Sequence, residues 1–247
     1  MSAEPSGTPS DEPGARLTGA IASLDDPPCA APGRLGFRDR RDAGRQLAAL
    51  LAQLRDRRPV VVAIPRGGVP VAAEVASAIG APLDVVLVRK VGAPRNPEYA
   101  IGAVAEGGVH VLAEDAVRAL GLTSGQCEAL VARGEEELRS RLARYRGTRA
   151  PVELRGRTVI LVDDGLATGR SAVAAVRSVR KRGGAQVILA VPVGARQSVQ
   201  ELSDEADEVV CVELPSDLWA VGYWYEDFRP TGDAEVAALL VSAAGNS

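Results

Sequence analysis

The chain has 247 residues, 46% of them hydrophobic and only 3% aromatic, with a formal net charge of −3. This is enough apolar material for one large α/β domain whose core is Val, Leu, Ile and Ala, the composition of a buried parallel sheet. The charge argues against a basic nucleic-acid groove or membrane face, and the single histidine, His110, rules out a multi-histidine metal site.

Residues 1–34 hold six of the 16 prolines, five acids and two arginines, so the body beyond them is neutral. They are predicted to form a disordered tail, with one domain over 35–247. Leu47, Leu50, Leu51 and Leu54 mark a helix within 37–57. PVVVAI (59–64) is a buried strand that stops at PRGG, and a helix restarts over 69–79. LDVVLVRK (83–90) is a second strand, followed by a Pro/Gly-rich loop, VGAPRNPEY. AIGAVAEGGVHVL (100–112) reads as two short strands around Gly107 and Gly108. Residues 113–150 form a helical insert, helical over 113–146, with Thr123 and Gln126 spaced as a capping box. TVILV (158–162), QVILAVPVG (186–194) and EVVCVEL (208–214) are further strands separated by helices, and 215–247 forms a hood with a helix over 233–241. The alternation predicts an open, mainly parallel, twisted sheet flanked by helices.

No apolar run approaches the ~20 residues that span a bilayer, and the first residues lack the apolar core of a signal peptide. Cys29, Cys127 and Cys211 are odd in number and far apart, with neither zinc nor disulfide spacing. A cytoplasmic protein with reduced thiols is expected.

Three loops follow strands: PRGG (65–68), the stretch from Lys90 to Tyr99, and DDGLATGRS (163–171). All three are expected at the carboxyl edge of the sheet, where open α/β sheets take ligands. Each also has a plain structural reading, as a glycine turn, a connector, or a turn with an N-cap. Their coincidence at one edge favours a site. Neither a P-loop nor a dinucleotide fingerprint is present.

The residue types specify the ligand chemistry. Free amides where LATGRS opens a helix, with the Thr168 and Ser171 hydroxyls, form a cradle for a terminal phosphate. Gly169 permits close backbone approach. Asp163 and Asp164 would repel that phosphate and suit hydroxyl groups or a bound metal. A sugar phosphate offers vicinal hydroxyls and a 5-phosphate together. Arg66, with the bare amides of Gly67 and Gly68, suits a second anion such as pyrophosphate. Lys90, one of two lysines against 27 arginines, and Arg95 add positive charge on a loop able to close.

VILVDDGLATGRS resembles the signature of type I phosphoribosyltransferases, which bind 5-phosphoribosyl 1-pyrophosphate (PRPP), and PRGG resembles that family's pyrophosphate loop. The resemblance runs from about Phe37 to Leu240. More narrowly, the FRDR start, IPRGGVPVAAEVA, LVRKVGAPRNPEYAIGA and the helical insert are similar to an uncharacterised group of predicted phosphoribosyltransferases. The resemblance implies PRPP as substrate, with Mg²⁺ bound alongside it. Asp163 and Asp164 would hold the ribose 2- and 3-hydroxyls, with Mg²⁺ reached indirectly through PRPP. Leu166, Ala167, Thr168, Gly169, Arg170 and Ser171 would wrap the 5-phosphate. Arg66, Gly67 and Gly68 would bind pyrophosphate, with a strained or cis peptide there, and Lys90 and its loop would close over the reacting centre. The implied reaction is displacement of pyrophosphate by a nitrogen nucleophile. Ala167 departs from the 6-oxopurine enzymes, which carry Asp there, so guanine and hypoxanthine are disfavoured.

Five of the eight aromatics, Trp219, Tyr223, Trp224, Tyr225 and Phe228, lie in the hood. Most are expected to pack it, while Trp224, Phe228 and Tyr99 are candidates for stacking on an acceptor. The charged insert helix is a solvated face or a homodimer contact. A regulator that senses PRPP without catalysis is the alternative, although no basic nucleic-acid-binding addition is visible. A hydrolase using Asp163 as nucleophile would need more acids than the loops offer.

Overall fold

The computed structural model describes residues 36–94, 96–147 and 149–244. Strands β1 (Val60–Ala63), β2 (Leu83–Val85), β6 (Thr158–Val162), β7 (Gln186–Val193) and β8 (Glu208–Glu213) form a five-stranded sheet in the order β2-β1-β6-β7-β8. Every pairing in it is parallel. The predicted tail over 1–34 lies outside the described residues.

The alternating direction of strand side chains divides the core in two. Val61, Ala63, Ile160, Val162, Ile188 and Ala190 face one side. There they meet α1 (Arg40–Leu51), α2 (Gly68–Ile79) and α7 (Asp233–Ala244). Val60, Val62, Val159, Leu161, Val187 and Leu189 face the other side, against α5 (Arg170–Lys181) and α6 (Arg196–Leu202). Both faces are therefore dry, which is why these strands read as unbroken apolar runs.

The region after β2 departs from the expectation. LDVVLVRK is not one strand: β2 ends at Val85, and the chain turns through Val86 and Leu87 into β3 (Val88–Ala93). The expected loop VGAPRNPEY is a hairpin, because β3 pairs antiparallel with β4 (Asn96–Ala105). β4 in turn pairs with β5 (Val109–Leu112), making a separate three-stranded sheet. Gly and Pro suggested a break, but here they shape a bulge. A Cβ on Gly92 would lie 2.2 Å from the Pro97 carbonyl oxygen, so only glycine lets the two strands approach.

The insert is two helices, α3 (Glu114–Ala119) and α4 (Ser124–Arg146). The Thr123–Gln126 capping box opens α4. At Gly134, α4 lies against Val104 so closely that a Cβ would sit 2.9 Å from Val104 Cγ2. Its far end is clasped to the parallel sheet. Arg146 Nε and Nη2 donate to Asp84 Oδ1 and Oδ2 at 3.2 and 3.1 Å, and Nη1 donates to Glu106 Oε1 at 2.6 Å. Arg182 Nη2 donates to Asp84 as well, at 3.3 Å. Two arginines and two acids thus form a neutral cluster, with the Arg146 and Asp84 side chains 8% and 9% exposed.

The hood is tied to the chain just ahead of α1. Phe37 N donates to the Trp224 carbonyl at 2.9 Å, and Glu226 N donates to the Phe37 carbonyl at 2.9 Å. No helix of the described residues is long and apolar enough to cross a membrane.

Candidate active site

Two loops meet at the carboxyl edge of β1 and β6. After β1, Ile64 N donates to the Val162 carbonyl at 2.8 Å, and the chain turns through PRGG into α2. The peptide between Pro65 and Arg66 is cis. After β6 come Asp163 and Asp164. The contact between the loops is so close that it excludes side chains: a Cβ on Gly67 would lie 1.8 Å from Asp164 Oδ2. A Cβ on Gly68 would lie 2.7 Å from the Val162 carbonyl oxygen and 3.0 Å from Asp163 Cα. The two glycines are therefore required by packing against the acid pair.

Asp163 and Asp164 are half-buried. Asp164 N donates to Asp163 Oδ1 at 2.9 Å. Burial raises the pKa of Asp163 well above the usual carboxylate range, and repulsion from Asp164 adds to it. Arg40, which opens α1, donates through Nε to Asp164 Oδ2 at 2.8 Å. Tyr225 donates its hydroxyl to the Asp164 carbonyl at 2.6 Å, and burial raises that phenol far above its ordinary range. Gly165 faces the hood, where a Cβ would meet Val221 Cγ1 at 2.4 Å.

The following turn is held from below. Leu166 is buried and bridges to Gly194, with Leu166 N donating to the Val193 carbonyl at 2.8 Å. Ser198 Oγ donates to the Ala167 carbonyl at 2.5 Å. Gly169 adopts φ 70° at the N-cap of α5, a left-handed conformation that favours glycine. Ala167, Thr168 and Arg170 are exposed, and Gly169 and Ser171 are half-buried. The first-turn amides of α5 have no intrahelical partner and carry the positive end of the helix dipole. Arg170 turns sideways, donating to the Ala100 carbonyl at 3.0 Å, and so ties this turn to the β4 hairpin strand.

The basic residues lie around the adjoining hairpin. Lys90 is exposed on β3, not in a loop, and lines a groove with Arg89, Gly92, Pro97 and Arg133. Arg66 is half-exposed, with Nη1 at 3.6 Å from Asp233 Oδ1, which also accepts the Tyr145 hydroxyl at 2.7 Å. Burial, then this bond to Asp233, pushes the Tyr145 phenol up to about 12. Arg66 shares a small cleft with Arg89, Arg141 and Tyr145, so the insert adds a cation beside the PRGG loop. Arg95 lies outside the described residues.

The aromatics divide. Tyr225 is buried, its ring 5.3 Å from Phe37 and 4.9 Å from Phe228. Trp224 is half-buried over Gly36. Phe228 lies under the Arg40 guanidinium, 3.9 Å from it. Trp219, Tyr223 and Tyr99 are exposed. His110 is exposed on β5.

The FRDR segment was visible in the sequence, but nothing there brought its Arg40 to the acid pair, and neither Tyr225 nor Arg141 stood out as a site residue. The destination of Arg40 lies 124 residues away in the chain. Among the described residues no group of three or more His, Cys, Asp or Glu side chains is arranged to hold a metal ion. Two carboxylates alone fit Mg²⁺ that arrives on a diphosphate substrate and keeps other oxygen ligands.

The parallel sheet, the paired glycine and acid loops at its carboxyl edge, and the helix-opening turn beside them define an open α/β domain whose loops gather where such sheets take ligands. The chain belongs to the phosphoribosyl transferase domain family, whose profile matches residues 38–227. It is 48% identical over 204 residues to a Mycobacterium tuberculosis protein provisionally named a phosphoribosyl transferase; the match covers 83% of this chain and 46% of that protein. The chain thus spans about half the length of the curated relatives it matches. It is 36% identical over 105 residues to uracil phosphoribosyltransferase of Streptomyces griseus, covering 41% of this chain and 48% of that enzyme. The crystal structure of TT1426 from Thermus thermophilus superposes with a TM-score of 0.72 at 49% identity, covering 83% of this chain and 98% of that one.

Proposed function

We propose that the protein is a PRPP-dependent phosphoribosyltransferase that passes ribose 5-phosphate to a nucleobase-like nitrogen acceptor and releases pyrophosphate. The observation that carries this reading is the contact between PRGG and the acid pair, where Gly67 leaves no room for a Cβ against Asp164. The contact brings the PRGG loop directly beside two carboxylates, which supports a ligand that joins an anion to vicinal hydroxyls, such as a 1-pyrophosphorylated ribose.

In this reading Asp163 and Asp164 accept hydrogen bonds from the ribose 2- and 3-hydroxyls and fix the ring. The amides from Ala167 to Ser171, with the Thr168 and Ser171 hydroxyls, hold the 5-phosphate at the start of α5. Arg66, the Gly67 amide and Lys90 hold the leaving pyrophosphate; the Gly68 amide, expected to be bare, already donates to the Ile64 carbonyl at 3.2 Å. The acceptor nitrogen forms its bond to C1 as the C1–oxygen bond breaks, and the electron pair leaves on the pyrophosphate. Positive charge develops on the ribose as in glycoside cleavage, and the surrounding groups stabilise the departing oxyanion. Mg²⁺ bound on PRPP, with Asp163 and Asp164 reaching it indirectly, would supply further neutralisation of that charge. The β3–β4 hairpin, carrying Lys90 and Tyr99, excludes water from the reacting centre.

For the acceptor, Tyr99 offers an exposed ring, whereas Trp224 and Phe228 already pack on Gly36 and Arg40. Ala167 offers no carboxylate to manage a 6-oxopurine proton. Together with the similarity to a uracil phosphoribosyltransferase, this makes pyrimidine-type bases the class to test first. The test is pyrophosphate release from PRPP and Mg²⁺ across a panel of nucleobases. Release that needs both PRPP and one acceptor supports the transferase. PRPP binding without release for any acceptor supports the sensing alternative.

A further inference from the structure

Arg40 stands where its own helix has no use for it. It opens α1, and a helix N-terminus already carries partial positive charge. That end is served by acids: Asp39 caps it by accepting from Asp42 N, and Asp42 lies in the first turn. The Arg40 side chain is nevertheless only 11% exposed, and every nitrogen of its guanidinium is engaged. Nε donates to Asp164 Oδ2 at 2.8 Å, and Nη2 lies 2.8 Å from the same oxygen. Nη1 donates to the Arg229 carbonyl at 2.9 Å, in the hood. The flat face of the group is 3.9 Å from the Phe228 centroid and 5.9 Å from that of Tyr225. A Cβ on Gly67 would also come within 3.1 Å of Arg40 Nε, so the pyrophosphate loop abuts this pair.

Two adjacent carboxylates carry up to two negative charges and by themselves attract a divalent cation. A fixed guanidinium on one of them halves that charge and locks the carboxylate's orientation. We propose that Arg40 is a positioning residue that makes the Asp163–Asp164 pair a receiver of ribose hydroxyls and not a free-standing divalent-cation site. The inference rests on the reading that this pair binds the ribose of PRPP. It assigns the FRDR segment a role at the site: it sets the charge of the acid pair and couples it to the hood through Arg229 and Phe228.

The test compares the wild type, Arg40→Met and Arg40→Lys, all checked for folding by circular dichroism. Mn²⁺ binding to the PRPP-free protein is followed by electron paramagnetic resonance, and PRPP binding with Mg²⁺ by calorimetry. Removing the charge in Arg40→Met is expected to tighten Mn²⁺ binding about tenfold or more. Arg40→Lys keeps the charge and is expected to leave Mn²⁺ binding at the wild-type level. PRPP binding is expected to weaken in both variants, most in Arg40→Met, because lysine cannot reproduce the fork. Unchanged Mn²⁺ affinity in Arg40→Met, or unchanged PRPP affinity in both variants, overturns the proposal. If Arg40→Met does not fold, Arg40→Lys decides: wild-type PRPP affinity in it refutes positioning by the fork. If the wild type itself binds no PRPP, the transferase reading fails, while the Mn²⁺ comparison still decides what Arg40 does to the acid pair.

Discussion

Gly67 is the residue at which the site is most sensitive to a single atom. A Cβ there, 1.8 Å from Asp164 Oδ2, would overlap a carboxylate that Arg40 holds in place. Gly67→Ala should therefore displace Asp164 or the PRGG loop. Overpacking of this kind costs roughly 1–3 kcal/mol, read as a lowered urea midpoint, together with loss of PRPP affinity by calorimetry. Asp163 gives a pH signature. Its folded pKa is raised, first by burial and then by Asp164, so the folded chain favours its protonated form. Charging it as pH rises through that value costs stability. Asp163→Asn should thus melt higher than the wild type at pH 7, and the gain should shrink as pH falls below the raised pKa and vanish near the ordinary carboxylate value of about 4. A melting difference that is constant with pH would contradict this assignment. The sequence showed these residues because a strand ending in two acids and a Gly-Thr-Gly-like turn has a chemistry that can be read locally. Arg40 and Tyr225 were hidden because their partner is set by tertiary packing across the hood.

At the scale of elements, the parallel strands were legible and the hairpin was not. PVVVAI and TVILV are buried on both faces, so their sequences are continuous apolar runs of strand length. β3 and β4 contain Gly92 and Pro97, which signal a break in isolation but here relieve one another at a bulge. A local reading cannot detect that a glycine's missing Cβ makes room for a carbonyl on another strand. The insert was placed correctly as helical, and Thr123 with Gln126 marked the start of α4. What the pattern did not reveal is how α4 is fastened. Asp84 accepts from Arg146, from Arg182 and from Val152 N. Asp84→Asn should leave two buried arginines short of charge and cost about 3–5 kcal/mol. Urea unfolding would measure it, and because the pair is buried the loss should persist at high salt. A loss below ~1 kcal/mol, typical of surface pairs, would mean the clasp is dispensable.

For the molecule as a whole, the strand–helix alternation was enough to predict a parallel sheet with the PRGG and DDGLATGRS loops at its carboxyl edge. It was not enough to predict that the second candidate loop would leave that sheet and form a sheet of its own. Lys90 and Tyr99 stand on a separate three-stranded sheet, held by α4 on one side and α5 on the other. The acid pair, by contrast, follows β6 of the parallel sheet and is braced by α1 and the hood. Everything proposed for the site depends on the acid pair and its turn holding a ribose 5-phosphate. Calorimetric titration of PRPP with Mg²⁺ into the wild type and into the Asp163→Asn/Asp164→Asn double variant tests this without an acceptor. Saturable binding by the wild type, lost in the folded double variant, is the expected result. Absence of binding by the wild type, or equal binding by both, would contradict it.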